Sequence, residues 1–295
     1  IYCFVIICLK AATAVTTAEF LSQPNWLEVM GTSMSAWGGH TEFARWLTMN
    51  VKSDLIVDLG IDYGYSTYIW SNALSAKNQG GKVVGIDSFY FEVSDEYVRD
   101  TYSFVMEAVK QNKFSNAEII KGYFSDVSAS WTRGQTIDIL HIDGRHEYEN
   151  VTNDYNDWIQ HLQPNGLVLF HDCNVWDQEN FGVYRLLNEL TDFKYKGYFT
   201  HSAGLGVVTN NLSIFQTIKT RYPGFHTSFP ILPPAAALPS YFNVNSRSIP
   251  IKSMHYEQTN TEHATLTQQT TEKTTETETE TETDMVKHAR IVVDI

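Results

Sequence analysis

The chain has 295 residues, with 21 Lys and Arg against 34 Asp and Glu, a formal net charge of −13. Hydrophobic residues make up 43% of the chain, which is enough for the core of one large domain, and three scattered cysteines are too few for a disulfide framework or a Cys-based zinc site. The acid excess argues against a nucleic-acid partner, because the neutralisation of phosphates requires clustered Lys and Arg.

The chain opens with an apolar run, IYCFVIICL, which is followed by Lys10 and the small residues AATA. Two interpretations fit residues 1–20: the remnant of a secretory signal with a cleavage site near Ala12 and Ala14, or a buried element of the fold. The first implies the secretory pathway and the second leaves a cytoplasmic location open. The run is shorter than the ~20 apolar residues of a membrane-spanning helix, so we predict no transmembrane span.

Short apolar runs then alternate with segments of helical periodicity. The predicted strands are residues 54–58, 82–87, 117–121, 137–142, 167–170, 194–199 and 205–209. The predicted helices are residues 66–76, 95–112, 147–162 and 181–190. The last two strands are too close for a crossover helix, so they should pair antiparallel. The pattern predicts an α/β fold over residues 21–212, with a doubly wound, mostly parallel sheet and an antiparallel terminal hairpin strand.

The composition changes after the last predicted strand. Residues 213–257 form an extension that includes the Pro/Ala-rich linker FPILPPAAALPSYF, which we expect to be extended. Residues 258–295 alternate Thr and Glu and contain few apolar residues. Such a segment cannot bury enough surface to offset the entropy lost on ordering, so we predict a disordered tail.

The first predicted strand ends in the sequence DLGIDYGYST. In a doubly wound sheet, ligands bind at the carboxyl ends of the strands, and Gly60 and Gly64 allow a tight turn there. The Asp62 carboxylate would repel a pyrophosphate but not a zwitterionic, cationic ligand. The alternative is an ordinary glycine-containing turn. The cofactor-binding residues predicted around this turn are Asp58, Gly60, Asp62, Gly64, Ser66 and Thr67.

The next two predicted strands end in further polar residues. Asp87, with Ser88 behind it, lies some twenty residues after the glycine turn, where an acid can accept hydrogen bonds from both ribose hydroxyls. After the third strand, Ser125 could reach an adenine edge, with Phe124 against the ring face. A helix N-cap is an equally good interpretation of Ser125.

Asp143 and Asp172 end neighbouring predicted strands and should face one cleft. Two carboxylates held together repel each other unless one takes a proton or a cation binds, and Mg²⁺ is a suitable cation. His146 follows Asp143 by three residues and, with an ordinary pKa of ~6.5, is the natural proton acceptor. The other histidines near the site are interpreted as structural: His40, His141, His171 and His201.

The motifs VDLGIDYGYST, VVGIDSF, IDILHIDGRHEYENV and GLVLFHD resemble those of class I S-adenosylmethionine-dependent methyltransferases. Within that class the sequence is most similar to the macrocin-type and rhamnosyl O-methyltransferases, from about residue 38 to residue 210. The resemblance implies a Rossmann-like sheet that binds S-adenosylmethionine. The turn at residues 60–64 would hold the methionine part of the donor, Asp87 the ribose, and Ser125 would lie near the adenine.

The resemblance also implies roles for the paired acids. In metal-dependent relatives the acids that match Asp143 and Asp172 bind Mg²⁺, and the histidine that matches His146 is the base. Cys173 departs from this pattern, because such relatives often carry a second acid or an Asn there. We therefore expect Asp143 and His146 to be catalytic, with Asp143 and Asp172 as the candidate metal ligands.

Together these features predict an S-adenosylmethionine-dependent O-methyltransferase that modifies a hydroxyl of a sugar or small polyol. One alternative is an NAD-dependent Rossmann oxidoreductase, which Asp62 and the missing third glycine disfavour. The other is a non-catalytic nucleoside-binding module. The acceptor would be a small molecule, a carbohydrate by the resemblance, and the sequence gives no indication of oligomeric state. Aromatic residues that could line its pocket or belong to the core are Tyr90, Phe91, Trp176 and Tyr184.

Overall fold

The structure, a computed structural model, describes residues 16–94, 97–99, 101–132, 136–176 and 180–231. The apolar run at residues 1–9, with Cys3 and Cys8, lies outside the described residues. So do the linker from residue 232 onward and the Thr/Glu-rich tail at residues 258–295.

The described elements alternate along the chain. The helices are α1 (Thr17–Leu21), α2 (Trp26–Ser33), a 3₁₀ helix (Ala36–His40), α3 (Thr41–Asn50), α4 (Tyr65–Lys77), α5 (Tyr102–Gln111), α6 (Phe124–Ala129), α7 (Tyr148–Ile159), α8 (Val183–Glu189) and α9 (Leu212–Arg221). The strands are β1 (Leu55–Leu59), β2 (Lys82–Asp87), β3 (Phe91–Ser94), β4 (Tyr97–Arg99), β5 (Ala117–Lys121), β6 (Ile137–Ile142), β7 (Leu162–His171), β8 (Tyr195–Phe199) and β9 (Leu205–Thr209).

The main sheet of the described residues has seven strands in the order β5-β2-β1-β6-β7-β9-β8. The pairs from β5 through to β7 are parallel, whereas β9 runs antiparallel to both β7 and β8. The predicted Rossmann-like sheet with its antiparallel terminal hairpin is confirmed. The strand order reverses between β1 and β6, and a ligand cleft opens at such a switch point.

The sheet is buried on both faces, as a parallel sheet must be. Along β1 and β6, neighbouring residues point to opposite faces. Ile56 and Ile139 belong to a core that includes residues of α1–α5 and α9, whereas Val57 and Leu140 belong to a core formed with α6–α8. The molecule therefore has a helix layer on each side of the sheet, and every central strand ends at the same edge.

Three predicted boundaries differ clearly from the structure. The strand predicted over residues 167–170 begins at Leu162, so the helix predicted over residues 147–162 ends earlier, at Ile159. The helix predicted over residues 95–112 begins only at Tyr102, because residues 91–94 and 97–99 form the separate β3–β4 pair. The predicted domain end at residue 212 falls at the start of α9, whose Ile214 and Ile218 are buried in the core. The domain continues to Ile231, whose backbone exchanges hydrogen bonds of 2.6 and 3.0 Å with the Asn188 side chain.

Candidate active site

The turn after β1 forms the first part of the site. Gly60, Asp62 and Gly64 all have positive φ angles, of 83°, 48° and 85°. A Cβ atom on Gly60 would lie 2.1 Å from the carbonyl oxygen of Asp143, so only glycine fits where the turns after β1 and β6 touch. Gly60 and Asp62 line a cleft of about 1290 Å³, whereas Gly64 caps the start of α4 outside its lining.

Asp87, at the end of β2, braces this turn. One carboxylate oxygen, Oδ2, accepts hydrogen bonds from the backbone N–H groups of Ile61 and Asp62, both at 2.9 Å, and Oδ1 accepts one from Phe89 at 2.7 Å. A carboxylate has about four lone-pair positions, so about one remains. Asp87 lines the cleft beside Ser88. The sequence predicted that it accepts hydrogen bonds from both ribose hydroxyls, whereas the remaining position has room for a hydrogen bond from one.

Asp58 and Thr67, predicted to bind the cofactor, lie beneath the cleft rather than in its wall. Both are fully buried. Asp58 Oδ2 accepts from the hydroxyls of Ser66 at 2.8 Å and Thr67 at 2.6 Å. The carboxylate therefore fixes the start of α4 from below, and of these three residues only Ser66 reaches the cleft lining.

The Asp58 carboxylate also anchors the 3₁₀ helix, through the imidazole of His141. The other Asp58 oxygen, Oδ1, lies 2.7 Å from Nδ1 of His141, whose Nε2 accepts from Trp37 Nε1 at 3.0 Å. Since an indole nitrogen only donates, Nδ1 must carry the imidazole proton and donate it to Asp58. This buried chain places Trp37 in the cleft wall.

Residues after β5 and β6 meet on another side of the cleft. A Cβ atom on Gly144 would lie 2.5 Å from Cε2 of Phe124 and 3.1 Å from Oδ2 of Asp154. Phe124, Ser125 and Asp154 all line the cleft. The N-cap of α6 is Tyr123, so the alternative interpretation of Ser125 as the N-cap is wrong.

The ends of β6 and β7 bring Asp143, His146 and Asp172 together. His146 Nε2 lies 2.8 Å from Asp172 Oδ2 and 3.7 Å from Asp143 Oδ1. The His146 side chain is 33% exposed, against 20% for Asp143 and 9% for Asp172, and all three line the cleft. The imidazole is thus reachable by a ligand, while the carboxylates lie mostly behind it.

His171, interpreted from the sequence as structural, lies between the two acids. Its Nδ1 is 3.2 Å from Asp143 Oδ1 and 3.1 Å from Asp172 Oδ2, and its Nε2 donates to the Ser202 carbonyl oxygen at 3.0 Å. One nitrogen faces a neutral acceptor and the other faces two anions, so both carry protons and the ring is an imidazolium. The structure thus supplies a cation for the paired acids from within the chain.

The contact between His171 and Asp172 was not predicted, because neighbouring strand residues ordinarily point to opposite faces. Asp172 has a positive φ of 59°, which turns its side chain back toward His171 at the strand end. An aspartate directly after a strand is one of the few residues that adopts this conformation, and this was the available signal.

The charges in this cluster shift its pKa values in opposite directions. Burial disfavours the charged forms of Asp143 and Asp172, but His171 and His146 outweigh it and hold the pKa of both carboxyls below the usual range. Burial likewise opposes charge on His146, yet the hydrogen bonds and charges of the two acids raise its pKa to about 9. The same acids raise the pKa of the buried His171 well above its ordinary value.

Phe181 fixes the orientation of the His146 ring. The two rings stack, with centroids 4.5 Å apart and planes 12° from parallel, and the N–H of Gly182 donates to the His146 carbonyl at 2.8 Å. Phe181 lines the cleft, whereas the sequence had suggested Trp176 and Tyr184, which pack on each other and are not in its lining. Tyr90 lies at the cleft and is 56% exposed, and the side chain of Phe91 falls outside the described residues.

The donor set can be tested against the expected Mg²⁺. One nitrogen of His146 and one oxygen each of Asp143 and Asp172 lie within 4.8 Å of one another. Two carboxylates that face one cleft suit a hard divalent cation such as Mg²⁺. An imidazole is also a common ligand of divalent ions of the first transition row. Cys173 is fully buried, which raises the pKa of its thiol and removes it as a ligand. The donor types therefore suit a divalent cation, which would replace contacts that Asp143 and Asp172 make here with His146 and His171.

Comparisons with known proteins identify a methyltransferase domain and two similar uncharacterised proteins. A family model described as a methyltransferase domain matches residues 57–173. Protein R132 of Acanthamoeba polyphaga mimivirus, described as uncharacterised, is 30% identical over 184 residues, which cover 58% of this chain and 79% of the relative. Protein y4gI of Sinorhizobium fredii, also uncharacterised, is 31% identical over 189 residues, or 64% of this chain, but the match spans only 20% of its length.

Solved structures with a similar fold include an O-methyltransferase from Bacillus cereus in complex with S-adenosylhomocysteine. It is 14% identical, with a TM-score of 0.48 over 69% of this chain and 93% of that one. The O-methyltransferase TomG from Streptomyces achromogenes, in complex with S-adenosylmethionine, is 14% identical, with a TM-score of 0.46 over 70% of this chain and 93% of that one.

The strand order, the glycine turn after β1 and the acid at the end of β2 define a nucleoside-binding α/β domain. With the family match added, residues 57–173 are identified as a methyltransferase domain of the class I S-adenosylmethionine-dependent type. Its placement in the macrocin-type branch stays a prediction. No helix in the described ranges has the length and apolar character needed to cross a bilayer.

Proposed function

We propose that the protein transfers the methyl group of S-adenosylmethionine to a hydroxyl of a sugar or similar polyol. The observation that carries this proposal is the imidazole of His146, backed by Asp172 at 2.8 Å and facing the cleft. A hydroxyl is a weak nucleophile until its proton is removed, so a carboxylate-backed imidazole is the group such a transfer needs.

The donor would lie across the ends of β1 and β2. The turn at residues 60–64 would approach its methionine part, and the remaining lone pair of Asp87 would accept from one ribose hydroxyl. Asp62 adds negative charge that suits the sulfonium. In the transfer a bond forms between the acceptor oxygen and the methyl carbon while the carbon–sulfur bond breaks, and S-adenosylhomocysteine leaves.

His146 would receive the hydroxyl proton. Its Nε2 faces Asp172, so in the neutral ring that nitrogen carries the proton and Nδ1 holds the free lone pair. Asp172 would then stabilise the imidazolium that forms, and the stack with Phe181 keeps the ring in place. Beside this ring, Asn180 and Arg145 line the cleft and offer donors to the hydroxyls of a polyol.

A divalent cation, when bound by Asp143 and Asp172, would act as a Lewis acid that lowers the pKa of the acceptor hydroxyl. The ordinary oxygen chemistry of Mg²⁺ supports this assignment. His146 remains the residue of this chain that takes up the proton, with or without the ion.

Replacement of His146 by Ala should lower kcat by about 10²–10⁴-fold, the usual contribution of a positioned base, and leave the affinity for S-adenosylhomocysteine within about twofold. His161→Gln, on a histidine outside the cleft lining, is the matched control. Transfer of an isotopically labelled methyl group to sugar acceptors measures turnover, and calorimetry measures binding. Equal turnover of the Ala variant and the wild type would remove His146 from the proposal.

The pH dependence of kcat provides a second test of His146 as the base. Because the pKa of His146 is raised to about 9, the fraction of neutral imidazole increases as the pH rises through that value. The kcat measured in the presence of EDTA should rise in parallel. The His146→Ala variant should lose this rise, and added Mg²⁺ should restore turnover at lower pH. Binding of NAD in place of S-adenosylmethionine would favour an oxidoreductase, and binding without transfer would favour a non-catalytic module.

A further inference from the structure

Asp154 differs from the carboxylates at the ends of β2, β6 and β7. Asp87 accepts three backbone hydrogen bonds, and Asp143 and Asp172 face two histidines. Within the described ranges of the chain, Asp154 has no hydrogen-bond or ion-pair partner, although it is partly buried and lines the cleft. Its carboxyl group is therefore left to hydrogen-bond with solvent or with a ligand in the cleft.

The surroundings of Asp154 suit a flat ring. Its Oδ2 and the ring of Phe124 both pack against Gly144, within 3.1 and 2.5 Å of the point where a Cβ atom would be. Because residue 144 is a glycine, Phe124 and Asp154 can pack directly against the backbone of the β6–α7 turn, which lines the cleft beside them. An aromatic edge, a bare backbone and a carboxyl group thus meet on one side of the cleft.

We propose that the carboxyl group of Asp154 binds the Watson–Crick edge of the donor's adenine, with the ring lying by Phe124 and Gly144. This assignment rests on the proposed donor site. A neutral carboxylic acid has one donor and one acceptor, and the adenine edge presents the complementary pair: N1 accepts while the exocyclic amine donates. Asp154 would accept from the amine and donate its own proton to N1.

The electrostatic environment favours the protonated form that this pairing requires. Burial, and then the negative charge of Asp157 one turn along α7, raise the pKa of Asp154 to about 7. Neither a base nor a cation on the neighbouring elements counteracts this shift within the described residues. The other charged or titratable groups on the elements that pack around α7 are Asp126 of α6, Tyr184, Arg185 and Glu189 of α8, Asp138 and His141 of β6, and Asp143, Arg145, His146 and Glu147 after β6.

Calorimetry with donor analogues tests the pairing directly. S-adenosylhomocysteine that lacks the N1 nitrogen (the 1-deaza analogue) should bind the wild type about tenfold more weakly than the parent at about pH 6, the cost of one hydrogen bond to a buried partner. The 7-deaza analogue keeps the Watson–Crick edge and should bind like the parent. In Asp154→Leu the difference between parent and 1-deaza analogue should vanish.

The variants also separate pairing from packing. Asp154→Asn keeps one donor and one acceptor, so it should retain affinity and lose the fall in affinity that the wild type shows above about pH 7. Glu149→Gln, an exposed acid on the same helix, should change neither. Thermal melting verifies that each variant is folded.

The outcomes distinguish this inference from the proposed function. If the wild type binds S-adenosylhomocysteine but does not distinguish the 1-deaza analogue, Asp154 does not read the adenine and the donor site itself stands. If the wild type binds neither S-adenosylhomocysteine nor S-adenosylmethionine, both proposals are wrong.

Discussion

Two buried carboxylates, Asp58 and Asp87, position the loops around the cleft, and a third, Asp138, braces the opposite end of the strands. Asp58 accepts from two hydroxyls and one imidazole, Asp87 from three backbone N–H groups, and Asp138 from the backbone of Asp54 and Leu55 and from Lys52. Asp58 holds the start of α4, Asp87 holds the turn after β1, and Asp138 holds the start of β1. A buried carboxylate with all its donors in place is a fixed point, because removal of a donor leaves charge unpaired in a region of low polarity.

Asp58→Asn should lower the free energy of unfolding by about 3 kcal/mol, since the amide nitrogen cannot accept the hydrogen bonds that one carboxylate oxygen now takes. The tautomer of His141 cannot adjust, because Trp37 occupies its other nitrogen. Urea denaturation measures the change, with the exposed Asp126→Asn as control. A loss no greater than that of the control would mean that the Asp58 hydrogen bonds contribute little to stability.

Prediction of the site from sequence succeeded where the chemistry is local to a strand end. The sequence placed Asp143, His146 and Asp172 together because parallel strands end at one edge, and the structure brings them within contact distance. It missed His171, whose contact depends on one positive φ angle, and Asp154, whose place in the cleft depends on the packing of α7. Backbone turns and helix rotations of this kind are settled by tertiary contacts rather than by local pattern.

At the scale of elements, the 3₁₀ helix is coupled to the sheet through histidines. His40 is fully buried, its Nε2 lies 3.2 Å from the same Ser202 carbonyl that His171 contacts, and its ring lies 4.7 Å from that of His201. Burial, followed by the charges of His171 and His201, lowers the pKa of His40 to about 3. A neutral His40 is thus a condition for docking this helix.

The depressed pKa predicts a specific sensitivity to acid. The unfolded chain takes up a proton at His40 near pH 6.5, whereas the folded chain does so only near pH 3, so stability should fall as the pH drops between these values. His40→Gln keeps a donor for Ser202 without titrating, and should reduce the slope by about 1.4 kcal/mol per pH unit. Denaturation at a series of pH values measures the slope, and identical slopes in both proteins would contradict the assignment.

The element order was predictable, but some boundaries were not. Apolar runs bounded by polar residues identified each strand of the main sheet, because central parallel strands are buried on both faces. The helix predicted over residues 95–112 includes β4, since a segment with Tyr97, Tyr102 and Val105 satisfies helical spacing as well. Strand pairing between short segments is a non-local contact that spacing does not record.

At the scale of the whole molecule, many acidic side chains line the cleft. The chain carries a net charge of −13, and the acids that line the cleft are Asp62, Asp87, Asp143, Glu147, Asp154, Asp157 and Asp172. Only Arg145 and two histidines in that lining can oppose them. The resulting field should favour a cationic ligand over a neutral one of the same shape.

S-adenosylmethionine carries one more positive charge than S-adenosylhomocysteine, so its affinity should respond more strongly to salt. Between about 20 and 500 mM NaCl, the affinity for S-adenosylmethionine should fall about threefold more than that for its product, because the screening length shrinks below the width of the cleft. Parallel calorimetric titrations measure both, and Asp62→Asn should reduce the difference. Equal salt responses would show that the sulfonium does not sense these acids.

The wall formed by α2 and the 3₁₀ helix has a consequence for redesign of the cleft. It contributes Met30, Met34, Ser35, Ala36 and Trp37 to the cleft, yet it precedes residues 57–173, the segment shared with the methyltransferase family model. Substitutions on these leading helices can therefore change which side chains a ligand meets in the cleft, without altering the residues at the strand ends.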